Sequence, residues 1–190
     1  MGVSARTLNA MKDSVADDTD LVLQAIEDPA KFQILYLHWV TPVYQYLFSR
    51  TGNHQDAEDI TSQVFLRAFQ AFPRYEHRGL FPAWLFSIVR SQVAGRWRKR
   101  QPEVALAAAQ DAGVSTDMLG DIFQQAENDR LARVIAARPA EDQELIRLRY
   151  IAELKFADIA QVLGKNEDAV KKSLYRLLAD LRAQMEANHE

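Results

Sequence analysis

Apolar residues recur along the chain at intervals of three and four, and alternation of period two is hard to find, which predicts an all-α protein. The first long helix is expected to begin near Asp28, an N-cap before Pro29. It would carry Phe32, Leu35, Tyr36, Val40, Val43 and Leu47 along one face until Gly52, with a kink at Pro42. A second helix from about Gln55 turns Ala57, Ile60, Val64, Ala68 and Phe72 inward and stops at Pro73. A third opens near Pro82 and carries Leu85, Ile88, Val89 and Trp97, ending in the basic run Arg96, Arg98, Lys99, Arg100. These three are expected to pack as one bundle.

From Gln101 to about Asn128 the periodicity weakens into an alanine-rich stretch with Pro102, Gly113, Ser115, Thr116 and Gly120, the composition of a linker. Beyond it come a helix with Leu131, Val134 and Ile135, a break at Pro139, and helices carrying Leu145, Ile146, Leu148 and Ile151, then Phe156, Ile159, Ala160 and Leu163. A last helix starts after Asn166. The predicted organisation is a flexible tail over 1–19, a helical bundle over 20–100, a flexible linker over 101–127 and a second small helical domain over 128–185.

Composition narrows the chemistry. The chain has 190 residues and 48% apolar content, enough for two small cores without cross-links. It has no cysteine, which excludes disulfides, thiolate metal sites and cysteine nucleophiles. Asp13, Asp17, Asp18 and Asp20 stand where a leader would need an apolar stretch, and no apolar run approaches a membrane span, so a cytoplasmic location without membrane insertion is expected. The net charge of −3 means that any contact with nucleic acid must come from local basic patches.

One such patch lies near the C-terminus. The run Phe156-Ala-Asp-Ile-Ala-Gln-Val-Leu-Gly-Lys-Asn-Glu-Asp-Ala-Val-Lys-Lys-Ser-Leu-Tyr-Arg-Leu-Leu is punctuated as two helices joined by a tight turn. Gly164 supplies the left-handed backbone at the end of the first, and Asn166 caps the second. Val170, Leu174, Leu177 and Leu181 form a buried stripe, leaving Lys171, Lys172, Tyr175 and Arg176 near the N-terminal end of the helix. That is the end a recognition helix presents in the major groove of DNA. Glu167 and Asp168 suit the helix dipole, and a carboxylate there can accept from a cytosine amino group. Any helical hairpin shows part of this pattern; its detail favours DNA binding.

The second helix of the N-terminal bundle opens Asp56-Ala-Glu-Asp-Ile-Thr-Ser-Gln-Val-Phe, with a polar face of Asp59, Gln63, Arg67 and Gln70. On residue types alone this is an acidic cap on a solvated helix. The order of motifs changes that reading. Asp-Ala-Glu-Asp, then Phe65-Leu-Arg-Ala-Phe, then Phe81-Pro-Ala-Trp-Leu-Phe-Ser-Ile, then the basic tail and the helix-turn-helix, strongly resembles the sigma-factor family in its minimal extracytoplasmic-function (ECF) form, over roughly 20–100 and 128–183.

The resemblance implies a non-enzymatic subunit that joins core RNA polymerase and directs it to promoters. It makes Asp56, Glu58, Asp59 and Gln63 the candidate polymerase contacts, an acidic and amide face suited to a basic partner helix. It assigns Tyr75, His77, Arg78, Trp84, Arg90, Arg96, Trp97, Arg98 and Lys99 to capture of the melted minus-ten strand, which needs stacking surface and cations. Trp84, beside Leu85, reads better as core than as a base platform, whereas Trp97 reads evenly as either. Asn166, Asp168, Lys171, Lys172, Tyr175 and Arg176 are assigned to the minus-thirty-five element, read as duplex. An anti-sigma protein is a further expected partner; no metal, cofactor or small-molecule substrate is expected. Ser91 and Gly95 stand where family members often carry asparagine and aspartate, and Asp168, Ala169 and Ser173 where glycine, threonine and arginine are usual, which implies an atypical promoter preference.

Two other readings are weaker. A dimeric helix-turn-helix regulator that never joins the polymerase accounts for 128–183 but leaves Asp56–Phe65 and Phe81–Ile88 unexplained. An enzyme built on Asp56, Glu58 and Asp59 lacks support, because His38, His54, His77 and His189 form no helical ligand pair and no phosphate loop or partnered nucleophile is visible.

Overall fold

The computed structural model describes residues 18–100 and 130–187, with side chains excluded at 97–100. All regular structure among them is helical. In the N-terminal half α1 spans Thr19–Glu27, α2 Phe32–Thr51, α3 His54–Ala71 and α4 Phe81–Arg100. In the C-terminal half residues 130–136 are helical, α5 spans Ala140–Ile146 and runs into a π-helical stretch Arg147–Ile151, and α6 (Phe156–Leu163) and α7 (Glu167–Ala187) follow.

Local chemistry sets most boundaries. Asp28 accepts from the Ala30 N–H at 3.0 Å and opens a 3-10 turn, Pro29–Lys31, which feeds α2; the helix start expected at Asp28 is this turn. Gly52 ends α2 at φ 65°, in the left-handed region that a side chain resists. Asn53 caps α3 by accepting from the Asp56 N–H at 2.9 Å, and Pro73 sits in the 3-10 turn Phe72–Arg74 that closes it. Helix α2 continues through Pro42, and α4 through Gly95.

Three expectations are corrected. Asp18 and Thr19 do not belong to a loose tail: Asp18 is buried with its carboxylate 3.2 Å from His38 Nε2, and Thr19 opens α1, whose Val22 and Ala25 are in the core. On α2 the inward positions include Trp39 and Tyr46, while Tyr36 is exposed and Val40 half-buried, because apolar residues run almost all round this helix and the core selects among them. Beyond α5, Leu148 and Leu154 are fully buried and Ile151 is not, since the wider π turn shifts the phase of the stripe.

The bundle of α2, α3 and α4 forms as expected, with Ala57, Ile60, Val64, Ala68 and Phe72 all buried. Its core does not stop at the bundle. Helix α4 packs on α6, α2 packs on the π-helical stretch, and Leu145, Leu148, Leu154, Ile159, Val170 and Leu174 join the same apolar cluster. A small satellite holds α7 to the helix at 130–136 through Ile146, Leu177, Leu181, Val134 and Ile135. The expected linker, 101–127, lies outside the described residues, as do residues 1–17.

Candidate polymerase and nucleic-acid surfaces

Of the four candidate polymerase contacts, α3 holds three outward. Glu58, Asp59 and Gln63 are exposed, within about a turn of one another, because the opposite stripe of Ala57, Ile60 and Val64 is anchored in the core. Asp56 is different. Only 6% exposed, it receives a hydrogen bond from Arg96 Nη2 at 2.6 Å, and the same guanidinium lies 3.6 Å from Asp59. Asp56 therefore ties the start of α3 to the end of α4, and Arg96 is engaged as its partner. Neither presents its charge to a ligand in this conformation.

Farther along the same helix, Leu66 and Phe69 are 59% and 51% exposed. With Phe32, Tyr36 and Phe65 they line an open groove of about 520 Å³. The residue reading missed this groove, although the helical phase that buries Val64, Ala68 and Phe72 necessarily turns Leu66 and Phe69 outward.

The minus-ten candidates form a second surface where the loop from Tyr75 to Leu80 enters α4. Tyr75 stacks on Phe72 at 5.8 Å and lies 4.8 Å from the Trp84 ring, which also packs on Phe81 at 5.5 Å. Trp84 is thus half core and half surface. Tyr75 and Trp84 line a cavity of about 430 Å³ together with Arg74, Arg78, Leu80 and Ser87, and burial raises the Tyr75 phenol above its ordinary pKa. Arg78 is exposed and paired with Glu76 at 2.6 Å; His77 is half-buried, its Nδ1 without a hydrogen-bond partner. Arg90 is exposed on α4 but donates to the backbone carbonyl of Val162 in α6. The side chains of Trp97, Arg98 and Lys99 lie outside the described residues.

The third surface is α7. Gly164 takes φ 64°, and Asn166 caps by accepting from the Asp168 N–H at 2.8 Å, so its side chain serves the turn. Val170, Leu174, Leu177 and Leu181 are buried as the spacing required. Asp168, Lys172, Tyr175 and Arg176 are exposed, Tyr175 by 59%. Lys171 is held by Glu167 at 2.7 Å, a hydrogen bond that raises its pKa, and lies over the Phe156 ring at 5.7 Å; Arg149 approaches the same ring at 4.7 Å. Among the described residues no cluster of metal-ligating side chains occurs, and no helix is long and apolar enough to cross a membrane.

Comparison with known proteins falls on the same segments. The profile of Sigma-70 region 2 matches residues 35–103, and that of Sigma-70, region 4, matches residues 128–181. The chain is 32% identical over 154 residues to the ECF RNA polymerase sigma factor BldN of Streptomyces coelicolor, a match covering 79% of this chain and 58% of that protein. It is 27% identical over 158 residues to SigM of Bacillus subtilis, covering 78% and 91%, and 26% identical over 163 residues to SigW of the same organism, covering 75% and 82%. Among solved structures, CnrH in complex with the cytosolic domain of CnrY shares the fold, with a TM-score of 0.64 at 22% identity over 90% of this chain and 99% of that one.

Proposed function

The chain belongs to the sigma-70 family as an ECF member, and from that premise we propose that it binds core RNA polymerase and confers promoter-specific initiation, acting as a cytoplasmic, non-enzymatic subunit. The observation that carries this reading is the presence on one chain of two differently built surfaces, each within the segment matched by the corresponding sigma region. Glu58, Asp59 and Gln63, flanked by Leu66 and Phe69, offer an acidic, amide and apolar face to a basic helical partner on the polymerase. Lys172, Tyr175 and Arg176 with Asp168 offer side chains to base edges and phosphates of a minus-thirty-five duplex.

The aromatic pair Tyr75 and Trp84, with Arg78, Arg90 and the basic end of α4, is the proposed trap for the unstacked minus-ten strand. Asp56 and Arg96 are positioning residues that fix α3 against α4. Domain limits of 18–100 and 128–185 are proposed for the two reading units, the first starting at the buried Asp18 that precedes α1. Either DNA contact can be weak, since polymerase holds both units at once and makes the second contact effectively intramolecular. An anti-sigma protein that covers the α3 face is a proposed partner; its identity does not follow from these residues.

The test is co-fractionation of the full chain with core polymerase and with duplex promoter DNA separately. A monomer that joins core polymerase, and no longer does so with Asp59→Ala and Gln63→Ala combined, is the expected result. A dimer that binds duplex DNA tightly and ignores polymerase would replace this reading with that of a conventional regulator.

A further inference from the structure

The seam between the two halves contains a buried charge. Glu144 of α5 is 6% exposed, and its partners come from the other half of the molecule: Tyr46 Oη donates to Oε1 at 2.7 Å, Arg50 Nη1 to Oε2 at 2.5 Å, and Arg90 Nε lies 3.9 Å away. Burial, reinforced by the Glu144 charge, raises the Tyr46 phenol above its ordinary range, so it remains a donor at any physiological pH. A carboxylate held this way loses its hydration and is tolerated only while these donors surround it.

The same seam covers the proposed minus-ten surface. Gln161 and Val162 of α6 form one wall of the cavity at Tyr75 and Trp84, and the Val162 carbonyl occupies the Arg90 guanidinium. A seam meant to be permanent would gain from apolar side chains in place of an ion pair, a replacement that commonly leaves stability unchanged or higher. The charged version separates more readily, because Glu144, Arg50 and Arg90 all return to water as well-solvated ions.

We propose that Glu144, gripped by Tyr46 and Arg50, is the catch of a closed state in which the C-terminal half blocks the minus-ten surface, and that engagement of polymerase requires this catch to open. The blocking role rests on the assignment of Tyr75, Trp84 and Arg90 to DNA given above; the catch itself does not.

Because the chain has no cysteine, Gln24→Cys and Ala183→Cys, both at exposed positions in different halves, take spin labels at two defined sites. Pulsed EPR distances in the isolated full chain should be narrow and single in the labelled parent. They should become longer and broad when Glu144→Gln is combined with Tyr46→Phe, with the far-UV circular dichroism unchanged. The opened variant should bind core polymerase about tenfold more tightly, since a closed resting state lowers apparent affinity by the open fraction. Tyr46→Phe alone, which removes one oxygen and keeps the ring, should shift part of the population. A parent that is already broad, or a double variant that stays narrow, overturns the catch. Opening without a gain in polymerase affinity overturns its inhibitory role. Opening in a chain that binds no polymerase in either form leaves the catch standing and removes the functional reading.

Discussion

Helices α3 and α7 each turn a polar face away from a buried apolar stripe, but they hold their charges differently. At the N-terminal half the first acid of α3, Asp56, is turned inward onto Arg96, and Arg90 of α4 is bound to the α6 backbone. On α7 the exposed residues Lys172, Tyr175 and Arg176 are arrayed over a stripe that needs none of them. Charge on α3 and α4 therefore contributes to the fold, whereas on α7, where Lys171 is tied to Glu167 and Asp180 to Arg138, the exposed Lys172 and Arg176 are charges left to the recognition proposed for them. Mutations should separate the two roles cleanly.

The largest effect is expected at Asp56. Asp56→Ala leaves the partly buried Arg96 without its closest carboxylate and should cost about 3 kcal/mol, read as a fall in thermal midpoint on the order of 5–10 °C. Asp59→Ala, one turn on, should change stability by less than about 0.5 kcal/mol while weakening polymerase binding. Equal losses of stability at both positions would break the distinction.

Next comes Asp158, buried at the seam beside Asp18, His77 and Lys155. Burial pushes its carboxyl up to about 6, opposed by the Lys155 charge and the N–H groups of Lys155 and Ala83, and reinforced by Asp18. The folded value lies above the unfolded one, so between about pH 4 and pH 6 the folded chain keeps a proton that the unfolded chain has released. This group's contribution is present in full below that window and is lost as pH rises through it. Asp158→Asn should therefore be more stable than the wild type at pH 7 by about 2 kcal/mol. The gap should close toward pH 4, as denaturant unfolding at several pH values would register.

Asn166→Ala should lower stability by about 1 kcal/mol through loss of the cap, with a secondary loss of promoter affinity because the N-terminal turn of α7 loosens. The smallest change in stability is expected at Lys172→Ala and Arg176→Ala, within about 0.5 kcal/mol. Binding of polymerase-held promoter DNA should nonetheless weaken, with the salt slope reduced by about one for each phosphate that is no longer neutralised.

The parts of this architecture that follow from local rules were legible in the sequence. Gly52, Pro73 and Gly164 stop helices for reasons contained in their own backbones, and the stripes of α3 and α7 are narrow enough to fix which side faces inward. Helix α2 was legible as a helix but not in phase, because Trp39 and Tyr46 compete with Tyr36 and Val40 for the core. The pairings that set the seam were not legible at all. Glu144 finds Tyr46 and Arg50 across 98 and 94 residues, and nothing in the composition around it distinguishes it from Glu141 on the surface. The same holds for Asp56: its place in a motif marked it as a contact residue, and only the path of α4 reveals that Arg96 has claimed it.

The central claim, that this chain directs RNA polymerase to particular promoters, is tested most directly by run-off transcription with purified core polymerase on fragmented genomic DNA. Discrete new starts that share two upstream elements, with use of the distal element reduced by Lys172→Ala and Arg176→Ala, are the predicted result. Core polymerase that gains no start from the wild-type chain, or gains the same unspecific starts with every variant, would contradict it.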